Sequence, residues 1–193
     1  MESCRLAESS QSFAIKKDPR IATTQEDFDK QLALLLQIRD KLSAAHEAIL
    51  RIRDIRKQVD DLGARWKDQE KAKKVVDAAK ALSAKLTAVE EALYQTKNKS
   101  SQDPLNYPIR LNNKLASLGG VVASADAAPT TQSQLVHEEL ASGINAQLQK
   151  LDSILHQDLD AFNKLVREQD LPAITSSSPR PGSDRPPAAG ARR

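Results

Sequence analysis

The sequence contains few aromatic residues and almost no sulfur. Phenylalanine, tryptophan and tyrosine make up 3% of the 193 residues, whereas hydrophobic residues make up 39%. This imbalance favours a core of aliphatic helices over an aromatic-rich β-sandwich. Cys4 is the single cysteine, which excludes an intramolecular disulfide and leaves the redox compartment undetermined.

Long hydrophobic runs are also missing. The longest, LALLL at Leu32–Leu36, is far shorter than the roughly 20 apolar residues that a transmembrane helix requires. The N-terminus has no apolar stretch of signal-peptide length. As written, the sequence predicts a cytoplasmic polypeptide without a membrane span.

An excess of one charge is confined to the C-terminal tail. Residues 176–193 contain four arginines and one aspartate, Asp184. Subtracting them from the totals of 29 basic and 26 acidic residues leaves 25 of each sign in the rest of the chain. A neutral body argues against a nucleic-acid groove, which needs a concentrated basic face.

Apolar periodicity predicts two long helices at the start. Either Thr23 with Glu26 or Thr24 with Asp27 offers a capping-box start to the first helix. An apolar seam follows at three-four spacing: Phe28, Leu35, Ile38, Leu42, Ala45, Ile49, Ile52 and Val59. We expect this helix to end at Leu62, after about 58 Å, with Gly63 as the break.

The second helix is predicted from Ala64 or Arg65 to Thr96. Its buried stripe alternates steps of three and four: Ala72, Val75, Ala79, Leu82, Leu86, Val89 and Leu93. The short joint allows either a kinked continuation of the first helix or a return. We favour an antiparallel hairpin, because a stripe of this width needs a partner.

The remaining chain predicts a loop, a short helix and a third long helix. Residues 96–110 are polar with two prolines and indicate a loop that crosses the end of the bundle. A short helix then begins at Leu111. Its apolar stripe is interrupted by Gly119 and Gly120, which either loosen the helix or permit close approach to a neighbour. The last helix runs to about Gln169, with Pro129 in its first turn and Thr131 and Gln134 at capping-box spacing. Its stripe is Val136, Leu140, Ile144, Leu148, Leu151, Leu155, Leu159, Phe162 and Val166.

The predicted fold class is therefore all-α. Three long helices and one short helix form an elongated antiparallel bundle over residues 23–171, after an N-terminal extension, residues 1–22. Residues 172–193 are rich in proline, serine and arginine and predict a disordered tail.

The sequence predicts no catalytic, cofactor-binding or metal-binding residue. His46, His137 and His156 are dispersed and lack zinc-protease or di-iron spacing. The acidic pairs Asp60–Asp61, Glu90–Glu91 and Glu138–Glu139 indicate solvated helix faces, since adjacent helical residues do not face each other.

Two basic clusters are interpreted as wet surface. Arg51, Arg53, Arg56 and Lys57, and the stretch RWKDQEKAKK at Arg65–Lys74, alternate with aspartates and glutamate that offer local ion pairs. Trp66 is expected to plug the end of the bundle. A lipid-surface role is disfavoured, because narrow apolar seams suit helix partners better than a membrane.

Two segments resemble a known family. They are KKDPRI followed by TTQEDFDKQLALLLQIRDKLSAAHEAILRIRDIRKQ, and YQTKNKSSQDPLNYPIRLNNKLASLGGVVASADAAPTTQ. Both are similar to the C-terminal helical region of large bacterial sialidase-like, or sortilin-like, β-propeller proteins labelled as glycosyl hydrolases. The resemblance extends from Phe13 to Leu171, and the run DPLNYPIRLNNKLA is its most specific part.

This resemblance implies a non-catalytic accessory or packing module. The propeller repeats, where any hydrolysis would occur, are absent, so no catalytic residue can be transferred and no cofactor is implied. The implied partner is a β-propeller or β-rich domain of the parent protein, which is expected outside the cytoplasm. Self-association is the other protein contact considered, and the hydrolase label itself is an analogy from fold.

Two other hypotheses remain open. The chain could be an independent α-helical coiled-coil adaptor that presents helix faces to a partner. It could also support hydrolysis when combined with a separate propeller chain.

The N-terminal stretch SFAIKKDPR has the alternation of a strand without a second strand to pair with. The resemblance places it at the boundary between a β-domain and the helices. We interpret residues 13–17 as the last strand of a missing sheet, and expect them to be unpaired and poorly packed.

Overall fold

The computed structural model describes residues 10–169, and this part of the chain contains helices and no strand. The helices are α1 (Gln25–Trp66), α2 (Lys73–Leu93), α3 (Leu111–Val122), α4 (Thr131–Ser153) and α5 (Asp160–Glu168). A π-helical segment, Ile154–Leu159, joins α4 to α5 in one continuous helical run. The all-α prediction is confirmed, whereas the predicted disordered tail, residues 172–193, and Cys4 lie outside the described residues.

The first helix begins as one of the two predicted caps requires. The Thr24 side chain accepts a hydrogen bond from the Asp27 amide, and the Asp27 carboxylate accepts one from the Thr24 amide. This capping box satisfies two amides at the helix start. With 42 residues, α1 is about 63 Å long and spans the whole bundle.

Gly63 does not end α1, which corrects the predicted break. A Cβ at this position would lie 3.3 Å from the Cβ of Ala79, so glycine lets α1 approach α2 closely. The helix continues to Trp66, which is buried as expected. A turn and a short 3₁₀ helix, Glu70–Ala72, then precede α2, which therefore begins later than Ala64 or Arg65.

The contacts between α1 and α2 establish the antiparallel hairpin. Arg53 contacts Glu90 and Arg56 contacts Thr87, whereas Gly63 further along α1 lies against Ala79, earlier in α2. The residue numbers of the contacting positions therefore fall along α2 as they rise along α1, which is the pattern of antiparallel helices. The predicted stripe of α2 is buried throughout, from Ala72 to Leu93.

The short helix α3 packs antiparallel against the first half of α1. Gln31 bonds to Val122, a Cβ added to Gly119 would lie 3.5 Å from Ile38 Cγ2, and the His46 ring lies 3.5 Å from the Asn112 amide. The helix continues through its two glycines, and of the two predicted alternatives Gly119 fits close approach to a neighbour. Gly119 lies against α1 while the helical hydrogen bonds continue through both residues.

The final helical run lies parallel to α1 and antiparallel to α2 and α3. Lys41 of α1 bonds to Asn145, Lys85 of α2 pairs with Asp158, and Leu111 of α3 lies against Gly143. The bundle therefore has two uninterrupted rods, α1 and α4–α5. Its third rod is divided, because α2 fills one half and α3 the other.

The start and the middle of the last run differ from the sequence prediction. Thr130, not Thr131, caps α4 by accepting a hydrogen bond from the Ser133 amide, so Pro129 precedes the helix. The π segment, Ile154–Leu159, includes Leu155 and Leu159 of the predicted apolar stripe and widens the helix there.

One buried core runs the length of the bundle. It contains aliphatic residues from all the helices and one aromatic residue, Phe162. Val136, predicted for this core, is instead 43% exposed. The fully buried members of the core include Ile52, Val75, Leu86, Leu93, Leu115 and Ile144.

Residues 13–17 of the N-terminal extension are unpaired and exposed, as expected. Residues 10–17 form neither helix nor strand, and Phe13 and Ile15 are 85% and 90% exposed. Further along the chain, the hydroxyl of Thr23 donates a hydrogen bond to the carbonyl of Asp126, between α3 and α4.

Gln31 closes the end of α3 from a neighbouring helix. Its buried amide nitrogen donates to the carbonyls of Val122 and Ala125, each at 2.7 Å. The Val122 carbonyl belongs to the end of α3, where acceptors lack partners within the helix. The Ala125 carbonyl lies in the following turn and also accepts from the Ala127 amide. The contact therefore anchors both α3 and the connection to α4.

We expect Gln31→Ala to lower the free energy of unfolding by about 1–3 kcal/mol, because it removes the side-chain donor that the Val122 and Ala125 carbonyls share and leaves the buried Val122 carbonyl unpaired among residues 10–169. Gln37→Ala is the matched control, since Gln37 is an exposed glutamine of the same helix. Urea denaturation followed by circular dichroism measures both. Equal effects of the two substitutions would contradict this role.

Candidate functional site

The divided rod places a long loop halfway along the bundle. Residues 94–110, here called the midpoint loop, connect the end of α2 to the start of α3. Connections between bundle helices are usually about 2–8 residues, and longer ones are often binding loops. The sequence prediction of a loop over residues 96–110 is confirmed, but the expected position at the end of the bundle is wrong, because α2 and α3 share one long partner and meet at its middle.

A buried carboxylate fixes the point where the midpoint loop begins. Glu90 is 1% exposed, and its two oxygens accept from Arg53 Nε at 2.6 Å and Arg56 Nη1 at 2.5 Å. The guanidinium of Arg53 also lies 5.1 Å from the ring centroid of Tyr94, the first residue of the loop. We call this group the carboxylate clamp.

The carboxylate clamp corrects two predictions. The sequence placed Glu90 on a solvated face and assigned Arg53 and Arg56 local ion pairs, but the arginines reach across to α2. Arg53 and Glu90 meet because α1 and α2 are antiparallel, which brings residues far apart in the sequence into contact. Helical spacing within one segment cannot predict such a pair. By contrast, Asp60, Asp61, Glu138 and Glu139 are exposed as predicted.

A second polar contact holds the two ends of the loop together. The side-chain amide of Gln95, itself buried, donates to the carbonyl of Pro108 at 2.9 Å. Its oxygen accepts from the amide of Lys97 at 3.3 Å. A compact loop with adjoining ends is typical of Ω-loops, which are frequently functional.

Asp103 organises the middle of the loop. Its Oδ2 accepts from the amides of Lys99 at 2.5 Å and Ser100 at 2.8 Å, and its Oδ1 accepts from the Ser100 hydroxyl at 2.9 Å. The backbone bond from Lys99, then those from Ser100, hold the pKa of this carboxyl below its ordinary value. The loop thus has a defined shape before any partner binds.

This ordered loop exposes apolar side chains. Leu105 is 83% exposed and Tyr107 is 39% exposed, with the Lys97 ammonium 5.7 Å from the Tyr107 ring centroid. Leu50 of α1 is 65% exposed and lies one turn from both His46 and Arg53. These two residues contact the rod on either side of its division, at the start of α3 and the end of α2. The loop and its surroundings therefore form a candidate protein interface.

The grooves between the rods offer less chemistry. One of about 550 Å³ lies between α1 and α4 and includes His137, whose buried Nε2 has no hydrogen-bond partner in the structure. His46 and His156 lie elsewhere, the latter 3.2 Å from Asp152. Within residues 10–169, no three metal-ligating side chains come together, and no helix is long and apolar enough to cross a membrane.

Comparison with protein-family models, curated proteins and solved structures gives no match for this chain. The sialidase-like resemblance therefore rests on the quoted segments alone. Its consequences are treated below as proposals.

We expect Glu90→Gln to lower the free energy of unfolding by about 1–3 kcal/mol, because two guanidinium groups lose their counterion. Partial exposure of Arg53 and Arg56 limits the cost, since water can solvate them. Glu91→Gln is the control, because Glu91 is the exposed neighbour. Urea denaturation at neutral pH compares the two, and a loss no larger than that of the control would contradict a stabilising clamp.

The pKa of the Asp103 carboxyl should lie below that of a free aspartate, because the Lys99 and Ser100 amides donate to its ionised form. Folding lowers this pKa, so its stabilisation of the loop is complete above the unfolded pKa and is lost as pH falls through the folded one. Carboxyl NMR of the whole chain, compared with an unfolded peptide of residues 97–106, measures the difference. In Asp103→Asn, the acid-induced shifts of the Lys99 and Ser100 amides should disappear. An unshifted titration would contradict this role.

Proposed function

We propose that this chain is a non-catalytic helical module that packs against another protein through the midpoint loop and the adjoining face of α1. The single observation behind this proposal is an internally bonded loop that still exposes Leu105 and Tyr107. Such a preformed surface loses little conformational entropy on binding. Exposed apolar groups on it gain from burial by a partner.

The resemblance suggests which partner to test first. The chain would be the severed C-terminal part of a sialidase-like protein, and the partner would be a β-propeller or β-rich domain of that class. The unpaired residues 13–17, with Phe13 and Ile15 exposed, support this assignment because a strand at a domain boundary would have this form.

A coiled-coil adaptor is the second candidate. It is supported by the exposure of Leu32, Leu36 and Leu50, at 56%, 38% and 65%, because their spacing places them along one side of α1 away from the core. Apolar residues on an exposed helix face favour self-association. This candidate predicts a defined oligomer, which Leu36→Glu with Leu50→Glu would dissociate in sedimentation experiments.

Binding to a purified sialidase-like β-propeller domain tests the first candidate. We expect Leu105→Glu with Tyr107→Glu to weaken binding at least about tenfold, since charges would replace apolar contacts. Leu135→Glu is the matched control, because Leu135 is 58% exposed near the start of α4 and far from the loop. Equal losses, or no binding by the unmodified chain, would contradict this partner.

An activity assay tests the non-catalytic part separately. The chain alone should leave fluorogenic sialosides and other glycosides uncleaved. Turnover by the purified chain would overturn the proposal, and turnover only with added propeller would favour support of hydrolysis between separate chains.

A further inference from the structure

The surroundings of the midpoint loop contain an unbalanced positive charge. The midpoint loop and the first turn of α3, residues 94–114, include four cations, Lys97, Lys99, Arg110 and Lys114, and one anion, Asp103. The chain before residue 176 has 25 basic and 25 acidic residues, so the rest of it has 21 basic and 24 acidic ones. This stretch therefore has a net charge of +3, with the exposed Glu91 just before it, whereas the rest of the body has a net charge of −3.

The four cations are available to a partner. All four are exposed, and within residues 10–169 none of them forms an ion pair. The one nearby anion in this stretch, Asp103, already accepts three hydrogen bonds inside the loop. Internal compensation of the kind found at Arg53 and Arg56 is therefore missing here.

Apolar groups lie among these charges. Leu105 is 83% exposed, and the Tyr107 ring has the Lys97 ammonium near it at 5.7 Å. Arg110 precedes α3 directly and Lys114 lies one turn further, where its amide bonds to the Arg110 carbonyl. We call these five residues, together with Lys99 and Asp103, the midpoint surface. An apolar centre with a charged rim is the usual anatomy of a protein interface.

From this charge and exposure we propose that the midpoint surface binds an acidic protein segment containing at least one leucine or aromatic residue. Carboxylates of the partner pair with the lysines and Arg110, and its apolar side chain covers Leu105 and Tyr107. This inference rests on the proposed function only in that the loop contacts a protein. It does not depend on the sialidase-like parent.

A nucleic acid fits this surface less well. Binding of a single nucleic-acid strand relies on a continuous basic groove and on aromatic rings that stack on the bases. The midpoint surface has a net charge of only about +3, and its one aromatic ring interacts with Lys97. The exposed Leu105 would gain nothing from a phosphate backbone.

Selection of random peptides displayed on phage, using the immobilised full chain, tests the inference. We expect the enriched peptides to have net negative charge and a leucine or aromatic residue. Their affinity should fall at least about tenfold in a variant with Lys97→Glu, Lys99→Glu and Lys114→Glu, because each reversal replaces attraction by repulsion. It should also fall as NaCl rises from about 50 to about 300 mM.

The matched control reverses three exposed lysines at the far end of the hairpin: Lys71→Glu, Lys74→Glu and Lys80→Glu. This variant has the same net charge and should change the affinity less than about twofold. Circular dichroism establishes that both variants remain helical. Equal losses in the two triple variants would overturn the inference, because only total charge would then matter.

The other outcomes separate this inference from the proposed function. The enriched peptides could instead show no charge preference and still bind the Leu105→Glu variant more weakly than the unmodified chain. That result would overturn the inference of an acidic partner and would keep the loop as a protein-binding site. Tighter binding of a labelled single-stranded oligonucleotide than of any acidic peptide would also overturn it. If no selected peptide depends on the loop, the acidic-segment inference fails, while binding to the purified β-propeller domain still tests the proposed function separately.

Discussion

The bundle depends on how its divided rod is held against α1. Two short helices, α2 and α3, must share one long partner, and each has an end in the middle of the molecule where helical carbonyls or amides lack partners. The carboxylate clamp holds α2 near this end by joining Glu90 to Arg53 and Arg56. Because Arg53 also contacts Tyr94, the same group positions the first residue of the midpoint loop.

The opposite end of α3 is held by a neutral contact of the same kind. Gln31 reaches from α1 to the carbonyls of Val122 and Ala125, so α1 supplies polar partners both at the division of the rod and at the far end of α3. Close aliphatic packing, as where Gly63 lies against Ala79, already favours one register of α1 and α2. Directional hydrogen bonds to named atoms fix the register, which explains the placement of these few buried polar groups.

Local features of this fold could be predicted from the sequence. Apolar periodicity located the buried stripe of α2, and the Thr24–Asp27 capping box located the start of α1, because both depend on residues within a few positions of each other. The predictions for Gly63 and Glu90 were wrong for one common reason. Whether a glycine ends a helix or permits close packing, and whether a glutamate is solvated or buried, depends on the residue opposite. Ala79 and Arg53 lie 16 and 37 positions away.

The candidate site was hidden from the sequence for a related reason. Polar residues and two prolines predicted a loop at 96–110, but no pattern indicated that it would emerge halfway along a rod and not at the end of the bundle. That position follows only from the antiparallel pairing of α2 and α3 with one continuous α1. It also gives the site its support, because a loop rooted on both sides in packed helices keeps Leu105 and Tyr107 outside the core while its ends stay fixed. A compact loop held in this way can contact a partner without local unfolding of the bundle.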